Sequence, residues 1–204
     1  MTGPAAQRWL VVLVVLLAVI LGGSVLYARG GKTAPPANRL QGTDVFAVGQ
    51  HRARSFALRD QNRRLLTSAG LRGRVYAITF LDSVCRLECP VAGRELAAVQ
   101  RALGPRSPLT VVVVSVDPRG DTPSTVRRFV RASGLTGTWH WLLGTRSSLL
   151  PVWNEYGIAV QPLRGDISHT AAVYLVDRNG WMRVADGVPL IPAQLARSVR
   201  VLAR

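Results

Sequence analysis

Hydrophobic and polar positions divide the chain into three regimes. From Trp9 to Ala28 run 20 consecutive uncharged residues, mostly Leu, Val, Ile and Ala, with Arg8 before them and Arg29 and Lys32 after. A helix of that length, at ~1.5 Å per residue, matches the ~30 Å hydrocarbon core of a bilayer. It has no polar face to present to water, so residues 1–28 are expected to be an N-terminal transmembrane anchor. A cleaved signal peptide is the rival reading, but it wants a small residue where Leu26 stands, which favours an uncleaved anchor. The flanking charges, on both sides of the stretch, do not decide its orientation. Residues 29–42 (RGGKTAPPANRLQG) are rich in Gly and Pro and lack periodicity, as a flexible linker does. Residues 43–204 then form one domain of ordinary size.

Within that domain the pattern alternates between strand and helix signals. Residues 55–58 and 64–66 flank the turn-forming Asp60, Gln61 and Asn62, which predicts a small hairpin. The runs 75–81 (VYAITFL) and 109–116 (LTVVVVSV) are continuously apolar and rich in β-branched residues, as central strands covered on both faces are. Between them residues 90–103 have helical spacing, with Pro90 suited to a first turn and Gly104 to a stop. Helices are also expected at 125–132, 148–156 and 192–202, and a strand at 139–143. Strands at 170–176 and 181–184 are joined through Asn179-Gly180, a strong hairpin signal. The order of elements is that of an α/β sheet with a parallel portion and an antiparallel hairpin at one side.

The net charge of +15, from 26 basic against 11 acidic residues, raises the question of nucleic acid. The basic residues are dispersed one or two at a time, only Lys32 is a lysine, and no basic stripe interleaves with aromatics, so no nucleic-acid partner is expected. Two cysteines are too few for a multi-disulfide scaffold or a four-thiolate zinc site, and their spacing has to carry the chemistry.

Cys85 and Cys89 stand in Cys-Arg-Leu-Glu-Cys-Pro, directly after a predicted buried strand and before a predicted helix. Backbone N–H groups and the helix dipole at such a junction favour thiolate. Three intervening residues bring both sulfurs to one side of a turn, close enough for a disulfide or for two ligands to one soft ion. A pair of inert buried cysteines is the bland alternative. His169 precedes the strand 170–176. If that strand runs antiparallel to 75–81, its start lies beside the cysteines, and two thiolates and an imidazole converge, a soft low-coordination set suited to copper. His140 and His51 lack such partners and read as structural or surface residues. Asp117, Asp121 and Asp177, next to Pro or Gly, read as turn and cap residues.

Across residues 55–202, and in its tethering N-terminal helix, the chain resembles the SCO/SenC family of thioredoxin-fold copper proteins, which help assemble the binuclear copper centre of cytochrome c oxidase. Three motifs carry the resemblance: Thr79-Phe80 leading into Cys85-x-x-x-Cys89-Pro90, the run from Ser115 to Pro123 (SVDPRGDTP), and the run from His169 to Asp177 (HTAAVYLVD). The resemblance implies a thioredoxin-like mixed sheet flanked by helices, copper as Cu(I) or Cu(II) on Cys85, Cys89 and His169, and the copper-site subunit of the oxidase as partner, with a copper donor protein as a second. It also implies a single-pass protein of the cell membrane, its domain on the extracytoplasmic side, assisting metallation, cysteine reduction or both. This chain has Leu81, Asp82 and Ser83 where the family usually places an aromatic residue and Thr, and Arg-Leu-Glu between its cysteines in place of a Pro-Asp type sequence. The competing reading, an enzyme and not a metallochaperone, is a thiol-disulfide oxidoreductase cycling Cys85 and Cys89 without a metal. A peroxidase fits less well, because Asp82 stands where Thr or Ser is wanted three residues before the first cysteine.

Overall fold

The computed structural model describes residues 39–204 apart from Gly165. The stretch 9–28 and most of the predicted linker lie outside the described residues, among which no helix is long and apolar enough to cross a membrane. In chain order the elements are strands β1 (Asp44–Val45), β2 (Ala57–Asp60) and β3 (Leu65–Thr67), a single 3₁₀ turn at Ala69–Leu71, β4 (Val75–Leu81), helix α1 (Glu88–Leu103), β5 (Leu109–Ser115), α2 (Pro123–Ser133), β6 (Trp139–Leu143), α3 (Arg146–Glu155), β7 (Val160–Leu163), β8 (Asp166–His169), β9 (Ala172–Val176), β10 (Met182–Gly187) and α4 (Pro192–Leu202).

Eight strands form one sheet in the order β1-β10-β9-β4-β5-β6-β2-β3. Strands β4, β5 and β6 are parallel, and the remaining pairs are antiparallel. Every residue of β4 and β5 is buried, as their unbroken apolar sequences require. Side chains alternate between the faces with a period of two. Ala77, Leu81, Val111 and Val113 meet Leu96, Phe129 and Val199 of α1, α2 and α4, whereas Tyr76, Ile78, Phe80 and Val112 meet Leu149, Val152 and Trp153 of α3. This is the expected mixed sheet between helical layers.

Packing begins upstream of residue 43. Leu40 lies against the core, and the Gln41 N–H donates to Ser198 Oγ at 2.7 Å while the Ser198 hydroxyl donates back to the Gln41 carbonyl. Gly42 is there because a Cβ would stand 2.2 Å from Val184 Cγ1. The last residues of the predicted linker are thus seated on α4 and β10, held by a polar pair that composition does not reveal.

Strands β7 and β8 form a separate two-stranded hairpin. It is closed at its base where the Thr170 N–H donates to the Ala159 carbonyl and the Ala159 N–H to Thr170 Oγ1. This hairpin places His169.

Candidate metal centre

The antiparallel pairing of β9 with β4 puts Val173 opposite Thr79, so the start of β9 lies beside the end of β4. The Thr79 hydroxyl donates to the Ala172 carbonyl at 2.9 Å and locks this junction. His169, three residues upstream of Ala172, is thereby held beside the loop that follows β4. That loop carries Cys85, and Cys89 sits in the first turn of α1, which begins at Glu88, two residues before the expected start.

Cys89 Sγ and His169 Nε2 are 3.4 Å apart. The other ring nitrogen, Nδ1, lies 3.1 Å from the Thr170 carbonyl, which can only accept, so Nδ1 carries the proton and Nε2 presents its lone pair to the sulfur. The Cys89 thiol accordingly donates to Nε2. The Asp82 N–H donates to the same sulfur at 3.4 Å. Cys89 is 1% exposed, and burial raises its thiol far above the ordinary cysteine range. Desolvation outweighs the Asp82 N–H and the helix N-terminus here, so the thiolate preference expected at a strand-to-helix junction is reversed at Cys89. A soft cation that replaced this proton would restore the balance, and Nε2 is the base beside it.

Cys85 is placed differently. Leu87, with φ −112° and ψ −89°, caps α1 outside helical geometry, so Cys85 stands in the irregular loop and not on the helix. Both cysteines are free thiols, and Cys85 is half-buried. It shares with His169 the wall of a cavity of about 260 Å³, which Leu87, Glu88, Asp166 and Ile167 also line. Among the described residues no three His, Cys, Asp or Glu side chains stand close enough together to hold one ion. The structure therefore brings Cys89 and His169 together, with the Cys85 side chain a near neighbour of the Cys89 thiol and on the same cavity wall as the imidazole.

The pair fits a metal by its dimensions. A thiolate at ~2.3 Å and an imidazole nitrogen at ~2.0 Å from one small ion, separated by a tetrahedral to trigonal angle, lie about 3.5–3.7 Å apart. The observed 3.4 Å is close to that span.

Three acids named in the sequence prove to be buried, which their local pattern does not show. Asp82 is buried beside the cysteine loop, where Oδ1 accepts the Val84 N–H at 2.7 Å, and burial raises its pKa. Asp121 is 7% exposed, and burial raises its pKa to about 6. Asp60 accepts from His140 Nδ1 at 3.1 Å, which gives His140 a structural partner. Asp117 and Asp177 do what turn residues do: Asp117 accepts the Arg119 N–H, and Asp177 accepts those of Asn179 and Trp181. His51 packs its ring edge-on to Phe46. A buried acid becomes visible only once the strands around it are assembled.

Asp121 sets a pH dependence. Its folded-state pKa lies above its ordinary value of 3.8, so the folded protein holds the proton more tightly than the unfolded chain does. Stability from this group is fully present below pH ~4 and is lost as pH rises to about 6, a change of order 3 kcal/mol. Denaturant unfolding between pH 4 and 7 is expected to show a shallower fall for Asp121→Asn than for the parent, with Asp82 supplying a residual slope of the same sign. Parallel profiles would refute this.

Comparison with known proteins decides the lineage. The family model described as SCO1/SenC matches residues 47–202. The chain belongs to the SCO1/SenC family. The bovine protein named SCO2 homolog, mitochondrial, is 28% identical over 187 residues, which cover 87% of this chain and 68% of that one. A SCO2-like protein of Rickettsia prowazekii is 21% identical over 176 residues, covering 82% and 85%. Among solved structures, copper-bound ScoI of Bradyrhizobium japonicum is 28% identical with a TM-score of 0.65, covering 74% of this chain and 99% of that one. Yeast Sco1 with copper bound shares the fold at 20% identity and a TM-score of 0.62, covering 74% and 87%. The expected thioredoxin-like architecture thus agrees with the SCO fold.

Proposed function

We propose that this chain is a membrane-anchored copper-binding protein that assists assembly of the copper centre of cytochrome c oxidase, with Cys85, Cys89 and His169 as its copper ligands. The observation that carries the reading is the Cys89–His169 pair, with the imidazole lone pair aimed at the sulfur across 3.4 Å. Copper is cargo here. Cys89 and His169 supply two soft-to-intermediate donors from a helix and a hairpin, and Cys85 approaches from the loop to complete a three-coordinate site suited to Cu(I) and, with the imidazole, to Cu(II). Leu87 and Leu163, 72% and 58% exposed beside the cavity, offer an apolar rim of the kind a partner protein covers during transfer. The B. japonicum relative, described with copper bound, supports the same cargo. The apolar stretch 9–28 anchors the chain as a single pass in the cell membrane, with residues 43–204 on the extracytoplasmic side, where its partner's copper site would lie. The dithiol could equally reduce a partner's cysteines, since copper binding and disulfide exchange both start from the reduced pair.

The test uses the full chain. It is expected to stay with membranes through carbonate washing and, once purified in detergent and reduced, to bind one Cu(I) per chain in an anaerobic titration, with both thiols protected from alkylation. No saturable binding, or thiols that alkylate freely in the presence of copper, would overturn the copper reading, and release by carbonate would overturn the anchor.

A further inference from the structure

The segment from Asp117 to Thr125, which runs from the end of β5 into the first turn of α2, is the one motif that the copper ligands do not use. Asp117 behaves as a local turn residue, and Thr122, not Asp121, caps α2. Asp121 sends both carboxylate oxygens out of its own loop. Oδ1 accepts the Ser83 N–H at 2.7 Å, and Oδ2 accepts the Trp141 indole Nε1–H at 3.1 Å. Two more contacts follow the same direction. The Ser83 hydroxyl donates to Thr125 Oγ1 at 2.9 Å, and the Thr125 hydroxyl donates on to the Gly120 carbonyl at 2.8 Å. Gly120 lies against the turn closely enough that a Cβ would stand 2.8 Å from Val84 Cγ2 and 2.1 Å from Asp117 Oδ2. The loop therefore grips Ser83 and Val84, the two residues before Cys85, and Trp141 fixes the gripping carboxylate from the core.

We infer that Asp121 is a positioning residue for Cys85, anchoring the Ser83–Val84 turn so that the loop between this fixed point and the first turn of α1 holds the Cys85 thiol beside the Cys89–His169 pair. Both oxygens must accept, which a carboxylate can do and an amide cannot, since its second atom is a donor facing the Trp141 N–H. With the upstream end of the segment fixed, Cys85 has less freedom to lose when it joins a metal or a disulfide. For copper the inference rests on the proposed function, whereas disulfide closure tests it without copper.

The experiment uses full-length protein in detergent. Copper affinity and the sulfur-to-copper absorption of the Cu(II) form are measured alongside the equilibrium in which the two thiols reduce oxidised glutathione: Cys85 and Cys89 lose two electrons and two protons to form one S–S bond, and two glutathione thiols are released. Asp121→Asn is expected to weaken copper binding by about 10- to 100-fold, the range seen when a group supporting a ligand is lost, and to shift the absorption. It should also lower the equilibrium constant for closing the Cys85–Cys89 disulfide. Adding Trp141→Phe, which removes the donor opposed to the amide, should recover part of both effects. A folded Asp121→Asn protein with unchanged affinity, spectrum and disulfide equilibrium would show Asp121 to be merely structural and overturn the inference. For an Asp121→Asn protein that fails to fold, Ser83→Ala decides: it loses the Thr125 contact and leaves the carboxylate paired, and a severalfold change in the same readouts is expected, none if the inference is wrong. If the parent binds no copper, the proposed function fails, and the disulfide equilibrium alone judges Asp121.

Discussion

His169→Ala is expected to remove most Cu(II) binding and the accompanying sulfur-to-copper absorption, while Cys85 and Cys89 still retain Cu(I) weakly. Among the described residues the imidazole is the side-chain nitrogen that lies against Cys89, and its Nε2 lone pair already points at Cys89 Sγ across 3.4 Å. Loss of a direct ligand should cost at least ~10-fold in affinity, since the loss of groups that merely support a ligand reaches that size. Cu(II) should suffer more than Cu(I), because imidazole suits the cupric ion and two thiolates can satisfy the cuprous one. Two other views of His169 predict different results. If the chain is purely a thiol-disulfide oxidoreductase, disulfide exchange proceeds almost unchanged in the variant, because the sulfurs do that chemistry. If His169 is a packing residue, stability falls and copper binding survives. A folded His169→Ala protein with the parent's Cu(II) affinity and spectrum would remove His169 from the site.

The elements that the sequence made legible are those whose burial is two-sided or whose periodicity is long. Val75–Leu81 and Leu109–Ser115 announce themselves as unbroken β-branched runs, because helices cover both faces of the sheet at its centre. Helix Pro192–Leu202 is legible because its apolar side, Leu195, Ala196 and Val199, faces the core. The hairpin of β7 and β8 left no such mark. Its strands pair only with each other, most of their residues are exposed, and Pro162 sits in one of them. Yet this hairpin holds His169, which the sequence reading placed in the approach to one long strand at 170–176. The proximity argument survived because it depended on the register of β9 against β4, with Val173 opposite Thr79. The placing of Cys85 was less legible. The spacing of the two cysteines suggests a shared turn, but the non-helical backbone at Leu87 leaves Cys85 in the loop before α1, and no pattern of apolar positions reports one residue's φ and ψ. Asp121 looks like a turn residue in sequence because its partners, Ser83 and Trp141, stand 38 and 20 positions away.

Trp141→Ala is expected to give the largest loss of stability among substitutions outside the metal centre. The side chain is fully buried on β6, its ring meets Phe129 edge-on at 5.1 Å between centroids, and its backbone N–H is held by Gln61 Oε1 at 2.7 Å. Truncating a buried Trp costs about 3–5 kcal/mol through lost contacts and the cavity left behind. Against a total of about 5–15 kcal/mol for a domain, that is a substantial fraction, seen in denaturant unfolding as a lower midpoint with unchanged slope. Trp141→Phe separates packing from hydrogen bonding. It keeps most of the aromatic volume but deprives Asp121 Oδ2 of its donor. An ionised carboxylate buried without that donor costs more than a protonated one does, because charge makes desolvation harsher. Asp121 titrates at about 6, so the deficit of Trp141→Phe should be larger at pH 7 than at pH 4.5. A deficit independent of pH would break the link between Trp141 and the Asp121 carboxylate, and Trp141→Ala within ~1 kcal/mol of the parent would deny the ring its place in the core.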